Sequence, residues 1–344
     1  LTGYRLFLPL SCLIIVLLIN LITTPTFFRI TINNGVLYGY IIDVINRASE
    51  LVVLAVGMTL VVSASAGTDI SVGAVMAVAA AVCTRVLAGG EVSVNEYANP
   101  YILAVLAALA VAVVCGGFNG FLVAKLKIQP MVATLILFTA GRGISQLVTN
   151  GQITYIRVDG YKLLGNNIPG IPIPTPIFVA VIVVALTYIL LKKTAMGMYI
   201  QSVGINERAS RLVGLKSVKI IWMAYAFCGL CAGIAGLVAS SRIYSADANN
   251  IGLNMELDAI AAVALGGNSL GGGRFSLLGS VIGAYTIQAL TTTLYAMSVP
   301  ADQIPVYKAI VVILIVAVQS EELKKFRKRL ASRHSSKNVE GGVA

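Results

Sequence analysis

Histidine is nearly absent from this chain. The one present, His334, lies close to the C-terminus, so no histidine-based metal or general-base site can be assembled. No H-E-x-x-H or paired-carboxylate motif occurs, which argues against an intramembrane enzyme and leaves no cofactor to expect. The G-x-x-x-x-G-K-[ST] phosphate loop is missing as well, so ATP is not bound by that route. The GGGR at 271–274 is glycine-rich but follows no strand, and reads as a tight turn or a close helix approach. Charge is scarce too, at 11% of 344 residues. Ion-coupled transport, which places several ionisable groups at mid-membrane, is therefore the weaker of two transport readings. The five cysteines, Cys12, Cys83, Cys115, Cys228 and Cys231, lie in or beside apolar runs. Cys228 and Cys231 form a CxxC without a second pair, and are expected to be packing residues.

What the chain has in abundance is apolar length. At 58% hydrophobic residues, and a mean hydropathy of +0.89, a soluble core could not use so much apolar surface. The expectation is an all-α, polytopic transmembrane bundle, because the runs are long and rich in Ala, Val, Leu and Gly rather than alternating. About ten spans are read: 6–25, 51–66, 70–88, 101–124, 130–149, 176–191, 219–240, 257–270, 275–296 and 304–319. The first lacks a small-residue cleavage site and reads as a retained span. The segment 257–270 is short for a bilayer and reads as broken or re-entrant.

The net charge of +11 records topology rather than nucleic-acid binding. With the N-terminus inside, 17 of the 25 basic residues fall in cytoplasmic segments, so both termini and the 192–219 loop are expected to face the cytoplasm. Residues 1–320 form one membrane domain, and 321–344 a basic cytoplasmic tail. Outside the membrane, 26–50 suits an interfacial segment. The stretch 150–175 ends in IPGIPIPTP and must be an ordered irregular loop. The run 51–88 breaks at GTDISVG and the run 257–296 at GGNSLGGGR, an echo of helix, polar break, helix.

Polar residues worth weighing are few. In the 192–219 loop, Asn206 is a good N-cap, Glu207 suits the dipole of a first turn, and Gly214 suits a left-handed stop. Glu207 to Val213 is thus predicted as a short capped helix with Ala209, Leu212 and Val213 on one face and Glu207, Arg208 and Arg211 off it. Such a helix is a docking surface. Asp69 sits in the first break, where an exposed or capping charge is favoured over a substrate contact. Arg142 lies about 18 Å along its helix from Pro130 and needs a partner or water. Asn119, Gln129 and Gln146 are candidates for a polar path or for helix packing.

Four stretches carry a resemblance: INRAS…GMTLVVSASAGTDISVGAVMA, KIQPMVATLILFTAGRGISQLVTNGQI, KTAMGMYIQSVGINERASRLVG and ADANNIGLNMELDAIAAVALGGNSLGGGRFSLLGSVIGA. From about 43 to 319 the chain resembles the permease subunits of bacterial ATP-binding-cassette sugar importers, the ribose, xylose and galactose family. LKIQPMVATLIL and ADANN-GL--ELDAI are most similar to the galactofuranose type. The resemblance implies a permease fold of the branched-chain amino acid/ribose type. It further implies a cytoplasmic ATPase partner engaged through the loop holding Gly204, Asn206, Glu207, Arg208, Ala209, Arg211 and Gly214. A second permease chain, in a hetero- or homodimer, and an extracytoplasmic sugar-binding protein are also implied. The setting is the bilayer of the bacterial inner membrane. The sugar path is assigned to Asp69, Ser71, Asn119, Gln129, Arg142 and Gln146. GTDIS stands where the family more often has Gly-Ile-Asp-Leu-Ser, so Thr68 adds a hydroxyl beside Asp69.

Overall fold

A computed structural model describes residues 2–33 and 35–319. Helix α1 (Thr2–Thr23) leads through a 3-10 turn (Pro25–Phe28) into the antiparallel pair β1 (Thr31–Asn33) and β2 (Val36–Tyr38). Then come α2 (Tyr40–Ser65), α3 (Val72–Ala88), β3 (Ser93–Val94), α4 (Tyr101–Ala124), α5 (Pro130–Val148), β4 (Thr154–Ile156) and α6 (Asp159–Lys162). The chain continues as α7 (Thr175–Lys193), α8 (Met196–Ile205), α9 (Glu207–Leu212), α10 (Ser217–Ile243), β5 (Ser245–Ala246), α11 (Met255–Leu265), α12 (Leu277–Ala296) and α13 (Ile304–Gln319). The protein is predominantly helical, with strands only as short ties: β4 pairs parallel to β3 and antiparallel to β5.

All ten predicted apolar segments contain a helix, but six are long and apolar enough to cross a bilayer: α2, α4, α5, α7, α10 and α12. Pro9–Thr23, Val72–Ala88 and Ile304–Ile313 are shorter apolar helices. The predicted segment 257–270 shrinks to the 11 residues of α11, about 16 Å at 1.5 Å per residue and too short to cross. Two boundaries also move. Helix α2 starts at Tyr40 rather than 51: Asp43 and Arg47 sit on its exposed side, and Glu50 pairs with Arg242 of α10 at 3.0 Å, both largely buried. The 192–219 loop holds a second helix, α8, that its polar residues disguised. The tail 321–344 lies outside the described residues.

From Leu51 to Ala64 every residue of α2 is buried, which makes this part of it the axis of the bundle. The tightest packing is between α4 and α10. On α4, Ala104, Ala108, Ala112, Gly116, Gly120 and Ala124 recur every fourth residue and are all buried. Position four apart is the same helix face, so this stripe lets the backbones touch. A Cβ placed on Gly116 would lie 2.9 Å from the Cα of Gly229, and one on Gly229 2.9 Å from the Cα of Gly116. In lipid there is little hydrophobic drive between helices, and such close van der Waals contact supplies it instead. Cys228 and Cys231 serve the same end. Both are buried free thiols packed on Gly57 of α2.

Candidate functional site

The 192–219 loop folds into two short helices in series. Asn206 has extended backbone (φ −155°, ψ 101°), and its Oδ1 accepts from the Ala209 amide at 3.0 Å, closing the first turn of α9. Gly214, at φ +85°, lets the chain leave in the left-handed region. One face of α9 turns inward through Ser210. The other carries apolar side chains that nothing among the described residues covers: Leu212 is 89% exposed and Val213 78%. Ile205, Arg208 and Ala209 are exposed beside them.

Glu207 ties α9 to the rest of the protein. Its Oε1 accepts from Lys127 Nζ at 2.5 Å, Arg211 Nη2 at 2.5 Å and Ser217 Oγ at 3.0 Å. Arg211 Nε also donates to Ser217 Oγ at 2.8 Å. Partial burial pushes the Glu207 pKa up, but the hydrogen bonds from Lys127, Arg211 and Ser217 outweigh this and hold it below the ordinary glutamate value. Lys127 lies in the turn just before α5 and itself has φ +59°. The link therefore runs from α9 to the foot of α5. Gly204 is not part of the exposed face. It ends α8 against the backbone of Ser63 and Gly273, where a Cβ would lie 2.7 Å from the Gly273 nitrogen and 2.9 Å from the Ser63 carbonyl carbon.

The six polar path candidates divide into two groups and an outlier. Asp69, Ser71 and Asn119 meet in the break between α2 and α3. Asp69 Oδ1 accepts from the Ser71 amide at 2.9 Å, Ser71 Oγ at 2.6 Å and Asn119 Nδ2 at 3.4 Å, and Asn119 Nδ2 also donates to Ser71 Oγ at 2.8 Å. Of the two readings expected for Asp69, exposed or capping, the exposed one is overturned. The residue is 1% exposed, because the break folds back into the bundle and the carboxylate closes the start of α3 from within. Thr68 Oγ1 and Asn119 Oδ1 are buried there without partners. Arg142 and Gln146 form the second group. Arg142 Nη1 donates to the carbonyls of Ala248 at 2.9 Å and Ile251 at 2.5 Å, and Gln146 Nε2 to Asn249 Oδ1 at 2.7 Å. Gln129 joins neither group; it is exposed at the start of α5 and makes no side-chain cap.

Several polar links escaped the sequence. Asp258 of α11 holds Lys308 of α13 through both carboxylate oxygens, at 2.9 and 2.7 Å. Thr59 donates to Ser280 at 2.6 Å, and Asn268 Nδ2 to the same hydroxyl at 2.8 Å. Glu256, 3% exposed, lies against the first turn of α3 at Gly73. Most of these join residues far apart in sequence, and no local pattern announces the pairing. Among the described residues no group of three or more His, Cys, Asp and Glu is placed to hold a metal ion.

The comparisons agree with this architecture. Residues 40–319 match the family described as branched-chain amino acid transport system / permease component. The galactofuranose transporter permease protein YtfT of Escherichia coli (strain K12) is 44% identical over 94% of this chain and 92% of its own length. The fructose import permease protein FruF of Bifidobacterium longum (strain NCC 2705) is 39% identical over 91% of this chain and 86% of its own. The ribose import permease protein RbsC of Escherichia coli (strain K12) is 35% identical over 91% and 93% respectively. No solved structure matches the chain. With a family match across most of its length and relatives of this identity, the chain belongs to the branched-chain amino acid transport system permease family, as a sugar importer permease subunit of the ATP-binding-cassette type and not an enzyme.

Proposed function

We propose that this chain forms, with a second permease chain, the translocation path of an ATP-driven importer for a monosaccharide, galactofuranose being the first candidate by similarity. The observation that carries the reading is α9: a capped helix whose apolar face is left bare while its opposite side is bonded to the foot of α5. That combination suits a surface docked by a cytoplasmic ATPase. The bare face meets the partner, and Glu207 passes its movement to the bundle. A sugar-loaded extracytoplasmic binding protein delivers the cargo, and ATP binding and hydrolysis on the partner switch the access of the path. The basic residues support an inner-membrane setting with both termini and the 192–219 loop in the cytoplasm. The shorter apolar helices α1, α3 and α13 would complete the crossings beside the six long ones.

The test is reconstitution in proteoliposomes with the partner chains. Sugar uptake should require ATP and the ATPase, and deletion of 204–214 should abolish it. Uptake that persists without the ATPase and collapses with an uncoupler would overturn the proposal in favour of ion coupling.

A further inference from the structure

Between α5, the first turn of α3 and the entry to α11 lie two opposite charges that are not used up. Arg142 spends Nη1 on the carbonyls of Ala248 and Ile251, while its Nη2 is buried without a partner among the described residues. Glu256 is buried, and its Oε2 has no partner. The two groups attract one another, yet they form no ion pair among the described residues. Gly73 makes the place possible. A Cβ there would collide with both Glu256 Oε2 and the Gly252 carbonyl, so only glycine lets the carboxylate reach the N-terminal turn of α3, whose dipole favours it.

The surroundings are polar where a membrane bundle can least afford it. Residues 247–254 run in turns without regular structure, packed on Gly73 of α3 and Arg142 of α5, and Asn249, Asn250 and Asn254 are exposed. Irregular backbone is tolerated inside a membrane only when it is buried in protein or lines a wet cavity. Ala248, Ile251 and Gly252 of this stretch are buried while Asn249, Asn250 and Asn254 are open, an arrangement that suits the wall of a wet path. Buried charges that keep unused hydrogen-bonding atoms beside such a wall are poised for a solute.

Resting on the sugar-importer reading above, we propose that Arg142 Nη2 and Glu256 Oε2 together hold adjacent hydroxyls of a sugar in transit, the guanidinium donating to one oxygen and the carboxylate accepting from the next. A polyhydroxylated neutral solute satisfies both atoms, since each hydroxyl both donates and accepts. An aliphatic solute satisfies neither.

The experiment is uptake into proteoliposomes bearing the full complex, with ribose, fructose, galactofuranose and leucine as probes. The transported sugar is then compared with its deoxy analogues. For Glu256→Gln and Arg142→Gln, the preference for the sugar over one deoxy analogue should narrow by about fivefold or more, because one recognised hydroxyl loses its partner. A purely structural role would lower uptake of sugar and analogue in proportion, and that result overturns the proposal. Restored uptake in the neutral double variant Arg142→Met/Glu256→Leu would also overturn it, since the charges would then serve only each other. Wild-type uptake of leucine in place of every sugar would instead sink the sugar-importer reading itself. That failure is seen without any variant.

Discussion

Gly204→Ala gives a prediction in which two physical effects have opposite signs. As a helical position, Gly204 should gain from alanine by about 1 kcal/mol. Its surroundings say otherwise. The new methyl would overlap the Ser63 carbonyl oxygen, and would sit 2.7 Å from the Gly273 nitrogen and 2.9 Å from the Ser63 carbonyl carbon. These atoms are backbone and cannot rotate away. They are also bonded to each other, because the Gly273 amide donates to Ser63 O at 3.0 Å. Overpacking costs about 1–3 kcal/mol, and a hydrogen bond broken with its groups left buried about 1–3 kcal/mol. Set against the propensity gain, the expected net loss is about 1–5 kcal/mol. Thermal unfolding of the purified chain in detergent measures it. Gly143→Ala is the control, since that helical glycine in α5 has open space where its Cβ would go and should be neutral or slightly stabilised. A Gly204→Ala protein as stable as Gly143→Ala would refute the reasoning, and would make Gly204 a part of the exposed docking surface after all.

Glu207→Gln should cost less than about 1 kcal/mol of stability, because its partners are partly exposed and screened. Its pH signature is specific. The carboxyl is held below its ordinary pKa, so its stabilisation is complete above the ordinary glutamate range and is lost as pH falls through the depressed value; a pH series of unfolding temperatures should show that acid-side slope vanish in the Gln variant. Lys308→Met leaves Asp258 unpaired at two largely buried sites and should destabilise by about 3–5 kcal/mol. The double variant Lys308→Met/Asp258→Leu should recover most of this in the same unfolding assay, and a double variant no better than the single one contradicts the pairing. Asn119→Ala removes the amide that donates to Ser71 and Asp69 and should cost about 1–3 kcal/mol. Asn119→Asp should be worse still at neutral pH, since it sets a second carboxylate beside Asp69, and the ranking of the two is the test.

The sequence disclosed what is local. The cap at Asn206 and the stop at Gly214 are written within nine residues of each other, and the structure has both. Helix α8 escaped because Gln201 and Ser202 gave it the look of a loop, and the first turns of α2 because Asp43, Arg47 and Glu50 lowered its hydropathy. Of these, Asp43 and Arg47 are exposed, while the largely buried Glu50 is tolerable only through Arg242, nearly two hundred residues away. The path candidates were found singly, as polar residues in apolar runs. That Asp69, Ser71 and Asn119 would close on one another, while Arg142 and Gln146 reached for 248–251, depends on how α3, α4 and α5 pack. No period in the sequence encodes that packing.

The two breaks that echo each other in the sequence turn out to touch. Gly273 in the break before α12 donates its amide to Ser63 at the end of α2, and Gly272 lies against Ala66 in the break after it. Deeper in, Thr59 of α2 and Asn268 of the second break share the Ser280 hydroxyl. The end of α8 is wedged at the same junction through Gly204, and α9 follows it after the single residue Asn206 while gripping the foot of α5 through Glu207 and Lys127. Under the proposed function, a partner that moved α9 would push on both breaks and on α5 at once. Each of these three places has irregular backbone or unspent polar atoms. Rigid helices transmit a displacement, and breaks are where it can be absorbed as a change of backbone shape. The glycines at this crossing therefore have a mechanical reason to lack side chains: contact of backbone on backbone leaves no side-chain rotamer to yield, so a small shift of α9 is not lost before it reaches the path.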